Sequence, residues 1–71
     1  MNQYDKILNY IKKNGSITPM DAFRELGITK LATRVSEMRR SGIEFDIERV
    51  YYKNNDGNTT FYCEYRLHEM Q

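Results

Sequence analysis

Between Ser16 and Gly42 the chain spells out two short helices, each with its own start and stop signals, and no other stretch constrains the fold as much. Thr18 is a natural N-cap. Pro19 suits the first helical position, because its missing N–H would be unpaired there and its ring already holds a helical φ. Met20, Phe23 and Leu26 follow at three-residue spacing as the apolar face of a helix over 19–26, and Gly27 supplies the left-handed residue that ends it. Thr29 then caps a further helix over 30–41. Leu31, Val35 and Met38 fall on one side of that helix, and Thr29, Thr33, Ser36 and Arg40 lie near the opposite side. Lys30, Arg34, Glu37 and Arg39 occupy the flanks, and Gly42 closes the segment.

On either side of this motif the hydrophobic period tells the rest. Tyr4, Ile7, Leu8 and Ile11 recur at three and four residues, the stripe of an amphipathic helix over 3–14 ending in Lys12-Lys13-Asn14-Gly15. The lysines suit the negative end of the helix dipole and are only secondary candidates for contact with an anion. Ser16-Ile17 can run briefly extended as a short third strand. After Gly42 the period becomes two: Ile43, Phe45 and Ile47 alternate with Glu44, Asp46 and Glu48, and Phe61, Cys63, Tyr65 and Leu67 alternate with Tyr62, Glu64 and Arg66.

Asn54-Asn55-Asp56-Gly57-Asn58 is the turn between the two strands. A three-residue Asn55-Asp56-Gly57 loop pairs Ile47 with Tyr65 and Phe45 with Leu67 on the buried face, and Asp46 with Arg66 and Val50 with Tyr62 outside. That register sets Glu48 opposite Glu64, which is unfavourable unless Arg49 or another cation intervenes. A two-residue Asp56-Gly57 loop avoids the clash but puts Ile47 against Arg66. The expected fold class is α+β: three helices, then a two-stranded antiparallel wing. Leu31, Val35 and Met38 should pack on Ile7, Leu8, Ile11 and Phe23, with Tyr4 and Tyr65 also in the core and Cys63 facing it.

Two helices joined through a short turn with glycine describe a helix-turn-helix, whose second helix commonly enters the major groove of DNA. Small hydroxyl residues on its polar face allow close approach to base edges, and Lys or Arg can reach phosphates or guanine. The Ile17-Thr18-Pro19-Met20-Asp21-Ala22 start, the Leu26-Gly27-Ile28 turn and the helix from Leu31 to Gly42 resemble the small winged helix-turn-helix proteins of bacteriophages and integrated mobile elements. The resemblance runs from Tyr4 to Ile47 and is loose beyond. It implies DNA binding in a bacterial cell, with Lys30, Thr33, Arg34, Arg39 and Arg40 matching positions such proteins turn toward DNA. Thr29, Ser36 and Glu37 on the same helix, and Lys53 near the wing tip, complete the candidate set. Glu37 fits less easily, since phosphate repels a carboxylate unless it accepts from a cytosine amine or holds a neighbouring Arg.

Composition bounds the other function classes. At 71 residues the chain is expected to be one domain, frayed at 1–2 and 69–71, with a marginal core and no room for a catalytic domain. One cysteine, Cys63, excludes an internal disulfide, and with the single His68 in the expected frayed tail it leaves no zinc-ligand cluster and no catalytic arrangement. No cofactor, membrane or small-molecule substrate is therefore expected. The start lacks the pattern of a signal peptide, which together with the cysteine count points to the cytoplasm. The net charge of +1 hides a segregation: residues 1–41 carry eight Lys and Arg against four carboxylates, and residues 42–71 carry three against six. Such a dipolar molecule would present its helical half to phosphate.

The expected function is sequence-specific binding of double-stranded DNA, as a phage or mobile-element transcriptional regulator or recombination accessory factor. The acidic hairpin, with Tyr51, Tyr52 and Tyr62, leaves open a homodimer or an interaction module for a protein partner, such as a phage-encoded inhibitor or adaptor. Ordinary cross-strand packing is the plainer reading of those tyrosines.

Overall fold

A computed structural model describes residues 1–68. In chain order they form α1 (Gln3–Asn14), α2 (Pro19–Leu26), α3 (Leu31–Arg40), β1 (Phe45–Lys53) and β2 (Thr59–Leu67), three helices followed by an antiparallel hairpin. Asn2 is not frayed, as the sequence suggested, but is the N-cap of α1: its side chain accepts from the Asp5 amide at 2.8 Å, satisfying a donor that the first helical turn cannot. Residues 69–71, the other stretch expected to fray, lie outside the described residues.

The start of α2 is doubly closed. The Thr18 hydroxyl accepts from the Asp21 amide at 3.2 Å, and the Asp21 carboxylate accepts from the Thr18 amide at 3.1 Å. Gly27, at φ 68°, ends the helix in the left-handed region. The next amide, that of Ile28, donates to Ala22 at 3.0 Å and directs the Ile28 side chain into the core. This turn delays α3 by one residue relative to the sequence reading. Lys30, not Thr29, is the N-cap, and no side chain caps that helix.

In the hairpin, Phe45 faces Leu67, Asp46 faces Arg66, Ile47 faces Tyr65 and Val50 faces Tyr62, the register of the three-residue loop. The Asn54 side chain accepts from the amides of Asp56 and Asn58, at 3.0 and 3.1 Å, and Gly57 takes φ 82°. The facing Glu48 and Glu64 carboxylates are bridged by Arg66, not Arg49; its guanidinium reaches Glu48 at 3.1 Å and contacts Glu64 as well. Arg49 instead lies over the Phe61 ring, 4.7 Å from its centroid. Ile17 and Tyr65 exchange two amide–carbonyl bonds of 2.9 Å, so the expected short third strand is a single bridge on the far edge of β2.

The core joins Ile7 and Ile11 of α1, Ile17, Ala22, Ile28, and Leu31, Val35 and Met38 of α3 to Tyr65, with Leu8, Leu26, Ile43, Phe45, Cys63 and Leu67 packed around it. Three expectations fail here. Met20 and Phe23 are each 58% exposed, and α2 packs through Ala22 and Leu26. A three-residue step falls about 60° short of a full turn, so the run Met20–Phe23–Leu26 slants across the helix and only its last member reaches the core. Tyr4 is 37% exposed, its hydroxyl drawn to a carboxylate on α3. Ile47 shares the inward face of the hairpin with Phe45 yet stays 43% exposed, because β1 is the outer strand and β2 lies between it and Ile17. His68 is not loose: its amide donates to the Glu44 carbonyl at 3.0 Å and its Nδ1 lies 2.9 Å from Asp46.

Candidate nucleic-acid interface

Helix α3 is anchored along one edge by Leu31, Val35 and Met38, all buried. With about 100° between successive residues, that edge places Thr33 and Arg40 opposite the core, with Thr29 and Ser36 beside them. Thr29, Lys30, Thr33, Ser36, Arg39 and Arg40 are all exposed. Thr29 and Lys30 sit at the mouth of the turn, so five or six short or flexible polar side chains cover the outer surface of one helix. Arg39 falls on a flank, where it borders a shallow cleft with Ile43, Phe45, Asp46 and His68. The basic last turn, Arg39 and Arg40, also suits the negative end of the helix dipole.

Arg34 and Glu37 behave differently from the others. The Arg34 Nη1 donates to Glu37 Oε1 at 2.7 Å, and the Tyr4 hydroxyl donates to the same oxygen at 2.8 Å. Arg34 is half-buried, and its Nε is enclosed with no protein acceptor among the described residues. The structure therefore draws Arg34 and Glu37 together against α1, where the sequence alone had offered Arg34 as a free contact. The hydrogen bond to Glu37 raises the Tyr4 phenol above its ordinary value, because ionising it would set a phenolate against a carboxylate. Opposite charges at i and i+3 were a legible signal for the ion pair. Nothing local pointed to Tyr4, which lies 33 residues from its partner.

Lys53 is exposed at the end of β1 beside the wing loop. Six residues of strand separate it from Ile47, level with the Ile17–Tyr65 bridge, a distance of about 20 Å. It stands apart along the wing and is not gathered with the α3 set. On the hairpin, Tyr51 packs on Phe61 with ring centroids 5.7 Å apart, and Tyr52 packs on Tyr62 at 5.8 Å. Tyr52 and Tyr62, with Thr18, Pro19 and Met20, line an apolar groove between the wing and the start of α2 that sequence reasoning missed. Its Met20 wall is a residue the sequence reading had assigned to the core face of α2. Among the described residues no helix is long and apolar enough to cross a membrane, and no three His, Cys, Asp or Glu gather as metal ligands.

A family model described as a winged helix-turn-helix domain matches residues 2–70. No curated protein and no solved structure matches.

Proposed function

The chain belongs to the winged helix-turn-helix domain family, typically a non-enzymatic DNA-binding domain, and from that premise we propose that it reads double-stranded DNA sequence with the outer face of α3. One observation carries the reading: Thr29, Lys30, Thr33, Ser36 and Arg40 stand clear on the side of α3 that faces away from the core. Short hydroxyl side chains let a helix sit deep in the major groove, and the cations reach guanine or the flanking phosphates. Lys53, about 20 Å along the wing, supplies a second hold on the backbone. The excess of Lys and Arg in residues 1–41 and of carboxylates in 42–71 orients the molecule, helices toward phosphate. The role proposed is that of a transcriptional regulator or recombination accessory factor acting in the cytoplasm, with the phage and mobile-element resemblance of the helical half as its support.

Binding to a random duplex pool at several salt concentrations tests this. The parent chain should bind, and Lys30→Ala and Arg40→Ala should weaken binding with native circular dichroism. A lost phosphate contact lowers the salt slope by about 1, and a lost base contact costs about 1–3 kcal/mol at one position of the site. The groove of Pro19, Met20, Tyr52 and Tyr62 favours a second reading, an interaction module with a protein partner. In that case duplex binding is absent even at low salt, and Tyr52→Ala abolishes capture of the partner.

A further inference from the structure

The feature left over from the reading above is the carboxylate on the recognition helix. Phosphate repels an acidic side chain, so Glu37 on the DNA-facing side of α3 needs a reason. A simple brace between α1 and α3 is one. The geometry supports a further role, because the two donors that hold Glu37 converge on one oxygen. Tyr4 and Arg34 both bond Oε1, at 2.8 and 2.7 Å, and Oε2 has no protein partner among the described residues. The side chain remains 36% exposed. It lies one turn from Thr33 and three residues before Arg40, at the edge of the outward surface where α1 approaches α3. Arg34 supplies a compensating charge, which lessens repulsion by the DNA backbone, and two hydrogen bonds fix the torsions of a side chain that would otherwise sample several.

We propose that Glu37 is a base-reading residue, held by Tyr4 and Arg34 so that its free oxygen accepts a hydrogen bond from a cytosine amine in the major groove. The inference rests on the DNA reading proposed above. An ionised carboxylate only accepts, and the major groove offers it two donors, cytosine N4 and adenine N6. Adenine N6 stands between two acceptors that repel the carboxylate, its own N7 and the paired thymine O4, whereas cytosine N4 has the guanine O6 on one side only and its own C5–H on the other. Cytosine is therefore selected by what is absent next to its amine as much as by the amine itself. Tyr4 and Arg34 act as positioning residues, and Arg34 is not a base contact of its own.

The test is selection of bound duplexes from a random pool by the parent chain, Glu37→Gln and Tyr4→Phe. The parent should select a C·G pair at one position by about tenfold over the other pairs. Glu37→Gln keeps its one oxygen for Tyr4 and Arg34 and puts an amide donor where the free carboxylate oxygen stood, so the preference at that position should leave cytosine for a base that offers an acceptor there, thymine O4 or guanine O6, with the rest of the site unchanged. Tyr4→Phe should flatten the preference there at an unchanged salt slope, which a merely weakened fold would not do. With the parent chain, a duplex carrying N4-methylcytosine keeps the pairing hydrogen and loses the one in the groove, and should bind about tenfold more weakly. If Glu37→Gln fails to fold, the modified duplex decides. If the parent selects a sequence but Glu37→Gln returns the same one, or the methyl group changes nothing, Glu37 is a brace and the inference is overturned. If the parent binds no duplex at all, it is the DNA reading itself that fails.

Discussion

The helical half and the wing are held together by different physics. Residues 1–44 bury Ile7, Ile17, Val35 and Met38 almost completely, and their stability comes from apolar surface withdrawn from water. The wing buries only Tyr65 to that degree, and along its outer length Tyr51, Tyr52, Phe61 and Tyr62 are exposed and lean on one another across the strands. Its order comes from the backbone ladder, the Asn54 turn and cross-strand pairs, each worth a fraction of what a core side chain contributes. A substitution should therefore be felt according to which half it strikes and not according to the size of the side chain removed.

The largest break should come from the core. Leu31→Ala is expected to lose about 2–5 kcal/mol, a large share of the stability of so small a domain, and to lower the melting temperature of helices and wing together. An unchanged melt would mean that α3 is phased differently. Alkaline pH strikes the joint between the halves. Burial raises the Tyr65 phenol above its ordinary value near 10, as the Glu37 hydrogen bond raises Tyr4. A raised value in the folded state means that the stabilisation is complete below about pH 10 and is lost as pH climbs through the higher folded values. Tyr65→Phe should flatten that loss in a urea titration run at increasing pH.

Thr18→Ala removes the closed start of α2 and should cost about 0.5–2 kcal/mol, read as a lower melting temperature. Smallest are the wing substitutions. Arg66→Ala leaves Glu48 opposite Glu64 and should cost at most about 1 kcal/mol, since all three side chains meet solvent, and added salt should relieve most of it. Tyr51→Ala should cost about 0.2–1 kcal/mol. If Tyr51→Ala destabilises as much as Leu31→Ala, the contrast between the halves collapses.

What could be read from the sequence divides along related lines. Caps and turns act within a few residues, so Thr18, Pro19 and Gly27 marked both ends of α2 in advance and the Asn54–Asn58 turn narrowed the hairpin to two registers, of which the structure adopts the one with the Asn55-Asp56-Gly57 loop. Side-chain partners are decided by tertiary approach, and there the reading failed. A three-residue spacing looked like a core face at Met20 and Phe23, because no local rule says how far a slanting stripe will be rolled out of contact. The candidate residues on α3 followed from helical phase together with the family resemblance, and most are exposed. That Arg34 would be occupied, and by which carboxylate and phenol, depended on where α1 crosses α3.

The Ile17–Tyr65 bridge carries a consequence for how the molecule is made. It joins positions about fifty residues apart, and closing such a loop costs about 2.5 kcal/mol more in entropy than closing the three-residue turn of the wing. The helices and the hairpin can each begin to form on their own, within microseconds, whereas the bridge must wait for both. On the ribosome the wait is longer, since the apolar surface of the helical half stays uncovered until Tyr65 has been added and has left the exit channel. Until β2 is in place the helical half holds its core open, dependent on that strand to shut it.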